Sequence, residues 1–181
     1  MTTLTAAQQR TNAKLRYAQI HLDELRLKRQ LARADADPWE RAHQESFLFH
    51  LLGVRDALLQ EFNLFHSCGL SMSSVSIASI SQQLVKNGVI SRALRTLMRL
   101  EGLKLSWLSV AKRLRNLSTH QKNVPRQLVV DRVNNDPQYF RDPATGKLIE
   151  TDYMELFEQW LVKAGKLIEN LRSKMPGAGN G

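Results

Sequence analysis

The fold is decided by residues 43–65, which read HQESFLFHLLGVRDALLQEFNLF. Large apolar side chains recur in this stretch every three or four positions, a spacing that places them on one face of an α-helix. These side chains are Phe47, Leu51, Val54, Leu58, Phe62 and Phe65. Just upstream, Asp37 suits a helix cap and Pro38 suits a first helical position, with Glu40 completing a capping box. We therefore expect a long second helix that ends near residue 65.

The segment upstream has the same periodicity. We predict a first helix over about Leu4–Ala34, uninterrupted by glycine or proline. Its apolar stripe contains Leu15, Ala18, Leu22, Leu25 and Ala32. Downstream of the second helix, HSCGLSMSS breaks the pattern, and a third helix is predicted over about Ser74–Asn87. Gly88 follows it as a suitable C-terminal glycine.

Two more helices complete the pattern. The fourth is predicted over about Ser91–Thr119 with a bend at Gly102, and the last begins at Thr151 or Asp152. Their stripes are Leu100, Leu103, Trp107, Val110, Leu114 and Leu117 for the fourth, and Tyr153, Phe157, Trp160, Ala164, Leu167, Ile168 and Leu171 for the last. These aromatic and aliphatic stripes are typical of bundle core rather than of a cofactor site.

Between the last two helices, DPATGK at residues 142–147 is turn chemistry flanked by β-prone residues, so we expect a small hairpin or flap near residues 138–150. The whole pattern predicts an all-α, up-and-down bundle of about five helices. It would form a single domain over residues 1–175, followed by a disordered tail at residues 176–181.

The composition predicts a soluble protein in a reducing compartment. Of the 181 residues, 43% are hydrophobic and Cys68 is the single cysteine, so no internal disulfide can form. The first ten residues, MTTLTAAQQR, lack the apolar core of a signal peptide, and no apolar run is long enough for a bilayer. We expect a cytoplasmic protein that does not enter a membrane.

The positive charge is concentrated in one segment. Residues 92–132 hold ten Lys/Arg and only two acidic residues, and thus most of the net charge of +9. Such a concentration predicts an electropositive face with RNA or another polyanion as partner, although a solvated helix face is an equally simple explanation. The predicted nucleic-acid-binding residues are Arg92, Arg95, Arg99, Lys112, Lys122 and Arg126.

Within this segment, RLRNLSTHQKN at residues 113–123 brings arginines, an asparagine and a histidine to the end of the fourth helix. At about 100° per residue, Arg115 and His120 point about 140° apart on an ideal helix. They can face one phosphate only if the helix ends between them or if two chains pair. Asn116 and His120 share a face, as do Arg113 and His120, so we expect a groove or a dimer seam to gather these three residues.

In motif and in helix pattern, the sequence resembles the HEPN superfamily of small helical-bundle domains, many of which are ribonucleases. The motif is Arg115-Asn116 followed by His120. The resemblance implies metal-independent RNA cleavage by a homodimer whose motif helices line one cleft. His120 would act as general acid or base, Arg115 or Arg113 would stabilise charge on the phosphate, and Asn116 would orient the histidine or the phosphate.

Alternatives remain open, including whether the protein is an enzyme. The chain can be an inactive bundle that binds nucleic acid, a bacterial bundle that shares the architecture without the activity, or a protein-interaction module with a basic face. His120 can equally cap the last carbonyls of its helix.

A metal site is not expected, because Glu40 and His43 have a di-iron spacing without a second copy, and His50 adds no HxxxH pair. We also expect no cofactor.

Overall fold

The computed structural model describes residues 3–30, 36–120, 126–128 and 138–175, with backbone only at residues 30, 36, 37, 119, 120, 126–128 and 138. The described residues form six α-helices, one 3₁₀ turn and two short strands. In chain order these are α1 (Leu4–Gln30), α2 (Ala36–Phe65), the 3₁₀ turn (Met72–Ser74), α3 (Ile77–Lys86), α4 (Arg92–Gly102), α5 (Trp107–His120), β1 (Arg126–Leu128), β2 (Gln138–Phe140) and α6 (Tyr153–Ser173). The predicted all-α bundle is confirmed, whereas the predicted tail at residues 176–181 lies outside the described residues.

The two longest helices, α1 and α2, pack side by side along most of their lengths. They run antiparallel, because Thr11 meets Glu61 near one end of the pair while His21 meets His43 towards the other. The predicted stripe of α2 is buried from Phe47 to Phe62. Helix α2 begins at Ala36, so the expectation that Asp37 caps it is wrong, since Asp37 lies inside the first turn.

Helix α6 closes the core. Its predicted stripe is confirmed in full, since all seven of its predicted side chains are buried. The rings of Phe47 and Phe157 stack 4.0 Å apart between α2 and α6. Asp152 is the N-cap, and its side chain accepts a hydrogen bond from the backbone N–H of Met154. Within the described residues, every helix is too short or too polar to cross a bilayer.

The predicted fourth helix is two helices. Residues 103–106 are not helical, and Leu103, predicted to be in the core, is 54% exposed. The physical reason is local capping: Ser106 Oγ accepts a hydrogen bond of 3.1 Å from the N–H of Ser109 and begins α5, while Ser109 Oγ donates one of 2.9 Å to the carbonyl of Glu101 in the last turn of α4. The predicted bend at Gly102 is therefore a complete break.

A small flap lies between α5 and α6. Strand β2 pairs antiparallel with β1, and Phe140 at its end is buried against Tyr153 and Phe157. The chain then turns at residues 142–146, where Gly146 has a φ of 66°. A bridge between Arg141 and Leu148 closes this turn, which confirms the predicted flap near residues 138–150.

Candidate nucleic-acid interface

Helix α4 separates an arginine face from an apolar face. Arg92, Arg95 and Arg99, which we call the arginine face, are all exposed. At about 100° per residue they fall within about 60° of one another around the helix. The other side of the helix is buried through Ala93, Leu94 and Leu97. The arrangement follows from the sequence RALRTLMRLEG, in which apolar and basic residues recur with offset helical spacing.

Among the described residues, the arginine face has no acidic partner. None of the ion pairs and hydrogen bonds between described residues engages the guanidinium of Arg92, Arg95 or Arg99. Three guanidinium groups on one short helix repel each other, and an unpaired set of this kind attracts anions from solution. The part of the predicted nucleic-acid-binding set on α4 is therefore brought together on one open surface.

Lys174, just after α6, adds a fourth cation beside this surface. Its ammonium nitrogen donates hydrogen bonds of 3.1 Å to Thr96 Oγ1 and 2.7 Å to Asn170 Oδ1. Thr96 is four residues after Arg92 and so neighbours it on the helix surface. Sequence spacing could not reveal Lys174, because the contact joins residues 78 positions apart.

The N-terminus of α4 is held by its own cap and by a histidine. Ser91 Oγ accepts a hydrogen bond of 3.3 Å from the N–H of Leu94. The same oxygen lies 3.1 Å from His66 Nε2 in the turn that follows α2. Burial lowers the pKa of His66, which favours the neutral imidazole beside the positive end of the helix dipole. The start of the arginine face is thus fixed to the end of the longest core helix.

Arg113 is engaged in a structural ion pair. Its Nε and one Nη donate hydrogen bonds of 2.8 and 2.7 Å to the two carboxylate oxygens of Asp142, and the other Nη donates one of 2.9 Å to the carbonyl of Lys104. Hydrogen bonding from Arg113 lowers the pKa of Asp142, a side chain that is only 7% exposed. The guanidinium predicted to serve a phosphate therefore ties the flap to α5.

Arg115 and Asn116 lie side by side near the middle of α5. Arg115 Nε donates a hydrogen bond of 3.1 Å to Asn116 Oδ1. Arg115 also lines a shallow cleft between α2, the end of α4 and α5, together with Leu52, Arg55, Asp56, Glu101, Leu108 and Lys112. This cleft is electrostatically mixed, because Arg55 Nε pairs with Glu101 at 2.6 Å and Lys112 lies 4.0 Å from the same carboxylate.

Helix α5 continues without interruption to His120. The helix therefore does not end between positions 115 and 120, which lie about 140° apart around an ideal helix. The side chain of His120 lies outside the described residues, as do Lys122 and the side chain of Arg126. Of the three residues predicted to share a groove, Arg113 is paired with Asp142 and Asn116 accepts a hydrogen bond from Arg115, so the groove itself stays a prediction.

A chain of aromatic rings on the outer edge of α1 and α2 was not predicted. The rings lie 3.8–5.5 Å apart, in the order Trp39, His43, His21, His50 and Tyr17. The ring of Phe49 also meets that of His50 edge-on at 5.3 Å, and the ammonium groups of Lys28 and Lys14 lie over the rings of Trp39 and Phe49. Burial lowers the pKa of all three histidines. The row of rings could not be predicted from the sequence, because His21 and His43 are 22 residues apart and meet only in the folded protein.

The ring chain does not form a metal site of three or more ligands. The Nδ1 atoms of His21 and His43 are 3.2 Å apart, yet no set of three His, Cys, Asp or Glu side chains among the described residues is arranged to hold a metal ion. Glu40 is buried and accepts a hydrogen bond of 3.1 Å from Gln44 Nε2, so it is committed to the core.

The sequence matches no known protein family, and no curated protein or solved structure is detectably similar to it.

Proposed function

We propose that this protein binds nucleic acid through the arginine face of α4, with Lys174 as a neighbouring contact. The observation that carries the proposal is the absence of any acidic partner for these three arginines among the described residues, whereas Arg113 and Arg55 are both paired with carboxylates. Exposed arginines are well suited to phosphates, because the planar guanidinium donates paired hydrogen bonds to phosphate oxygens. We also propose that the protein acts in the cytoplasm.

Binding of this kind has a defined salt dependence. Each phosphate that a cation neutralises releases condensed counterions, so the logarithm of affinity falls with the logarithm of salt concentration by about 0.9 per contact on duplex DNA. Four cations therefore predict a slope of about −3 to −4. A protein-interaction module of ordinary polar and apolar contacts would have a much flatter dependence.

The test is fluorescence anisotropy with labelled nucleic acids between about 50 and 200 mM salt. The triple variant R92A/R95A/R99A should bind at least tenfold more weakly, with a slope smaller by about 3. A matched control, R10A/R16A/K166A, removes the same charge from exposed positions on α1 and α6. Equal losses in the two triple variants, or no binding by the wild type, would contradict the proposal.

Ribonuclease activity stays a second prediction. It is supported by the hydrogen bond between Arg115 and Asn116, which holds two of the three motif residues together beside a cleft. Because α5 is continuous, cleavage would require His120 to meet Arg115 of a second copy, and the activity therefore depends on a homodimer. We expect RNA cleavage in the presence of a chelator, abolished by H120A and by R115A and restored when the two variants are mixed. Wild-type cleavage by both variants would refute the assignment.

A further inference from the structure

The arginine face belongs to a compact pair of short helices. Only residues 87–91 separate α3 from α4. Gly88 adopts a φ of 66° in this turn, and the N–H of Val89 donates a hydrogen bond of 2.9 Å to the carbonyl of Leu84. Ser76 and Ser79 form a capping box at the start of α3. Both ends of α3 are thus fixed by hydrogen bonds, and the short turn holds α4 beside it.

The side chains around the arginine face favour a duplex over a single strand. Proteins that hold single strands stack bases on exposed aromatic rings. Within the described residues, the large apolar side chains exposed on α3, α4 and the turns that flank α4 are all aliphatic: Val85, Val89, Ile90, Met98, Leu103 and Leu105. The exposed aromatic rings of Tyr17, Trp39 and Phe49 lie instead on α1 and α2. The arginine face therefore offers charge and hydrogen-bond donors without stacking platforms.

The shape of α4 favours DNA over RNA. An eleven-residue helix is about 16 Å long and about 10–12 Å wide with side chains, which matches the major groove of B-form DNA at about 12 Å. The major groove of an A-form RNA duplex is too narrow to admit a helix. Arginine is also the side chain that reads guanine O6 and N7 in the major groove.

We infer that α4 is a recognition helix that inserts its arginine face into the major groove of duplex DNA while α3 supports it from behind. This inference rests on the proposed function and narrows its ligand to one nucleic acid. Arg92 and Arg95 near the start of α4 contact base edges or phosphates, and Arg99, about 10 Å along the axis from Arg92, contacts the backbone further along the groove. Lys174 contacts a phosphate at the groove edge.

The inference is tested by anisotropy on a DNA duplex, an RNA duplex of the same sequence and each single strand, at one salt concentration. The DNA duplex should bind at least about tenfold more tightly than the other three. R92A/R95A/R99A should abolish that preference, whereas R10A/R16A/K166A should retain it. If RNA or single strands bind equally well through the arginines, the inference fails while the proposed function stands. If nothing binds, both fail.

A second readout locates the groove. Duplex DNA whose cytosines carry glucosylated hydroxymethyl groups has its major groove filled, whereas distamycin fills the minor groove of A·T tracts. The first modification should weaken binding at least about tenfold, and distamycin should leave the affinity within about twofold. The reverse pattern would overturn insertion of α4 into the major groove.

Discussion

At the residue scale, the arginines of the basic segment differ in their partners: those of the arginine face have no acidic partner among the described residues, whereas Arg113 is paired with Asp142. Arg92, Arg95 and Arg99 could be placed on one face because their spacing of three and four residues is a property of the helix itself. Arg113 also lies on a helix of the basic segment, yet it is bound to Asp142, which is 29 residues away in the flap. Sequence therefore predicted the arginine face and could not predict which arginine is neutralised.

Replacing Arg113 with alanine should destabilise the protein by about 2–3 kcal/mol, because it strands the carboxylate of Asp142 with a side chain only 7% exposed. The matched control is K112A on the same helix, a side chain 51% exposed, which should change stability by less than about 0.5 kcal/mol. Urea unfolding followed by circular dichroism measures both. An equally small effect for R113A would remove the structural role given to this ion pair.

The ion pair between Arg113 and Asp142 also makes the stability of the protein depend on pH in the acid range. The pKa of Asp142 in the folded protein is below its ordinary value of 3.8, so the unfolded state binds the proton more readily. Its stabilising contribution should be complete above that ordinary value and disappear as the pH falls through the lowered pKa. The difference in stability between wild type and R113A should therefore shrink on acidification below about pH 4.

At the element scale, the long amphipathic helices were predictable, and the short irregular elements were not. The stripes of α2 and α6 span many turns, so the periodic signal is strong and its burial follows directly. The break between α4 and α5 depends on two serine side chains, Ser106 and Ser109, whose capping bonds compete with a continuous helix. Strand β1 exists through its pairing with β2, a contact that local sequence does not encode.

The ring chain between α1 and α2 predicts a second pH effect. Burial holds the pKa values of His21, His43 and His50 below 6.5 in the folded state. The charge of Lys14 lowers the pKa of His50 further and that of Lys28 lowers the pKa of His43, whereas Glu24 opposes the shift at His21 and His43. Folding favours the neutral imidazoles. Their contribution to the free energy of unfolding is therefore complete above pH 6.5 and is lost as the pH falls through the lowered pKa values.

The variant H50F isolates this effect. The buried Nδ1 of His50 has no hydrogen-bond partner among the described residues, and its ring packs against those of His21 and Tyr17. A phenylalanine retains the ring contacts and removes both the unsatisfied nitrogen and the proton-binding site. H50F should raise the urea midpoint relative to wild type more at pH 5.5 than at pH 7.5. An equal change at both pH values would show that His50 does not contribute to the acid sensitivity.

At the scale of the whole molecule, one buried carboxylate joins both ends of the described chain. Glu61 in α2 is fully buried and accepts hydrogen bonds of 2.8 and 3.0 Å from Arg172 near the end of α6. The hydroxyl of Thr11 also donates to Glu61, and Arg172 donates to the carbonyl of Gln8 in α1. Three helices thus share one polar cluster in an otherwise apolar core.

Replacing Arg172 with alanine should therefore cost about 3–5 kcal/mol and lower the melting temperature substantially, because the negative charge of Glu61 is left buried without a cation. The double variant E61Q/R172A should recover part of that loss, since the neutral amide needs no counter-charge. Calorimetry on the two variants checks the prediction, and a double variant no more stable than R172A would contradict it.

The two-sided construction of α4 has a practical consequence. The core contacts of this helix come from Ala93, Leu94 and Leu97, none of which belongs to the arginine face. A library randomised at positions 92, 95 and 99 would therefore vary what the helix touches while leaving the scaffold to fold as before. Binding preference and thermal stability can therefore be changed separately, so this helix is suited to the engineering of new binders.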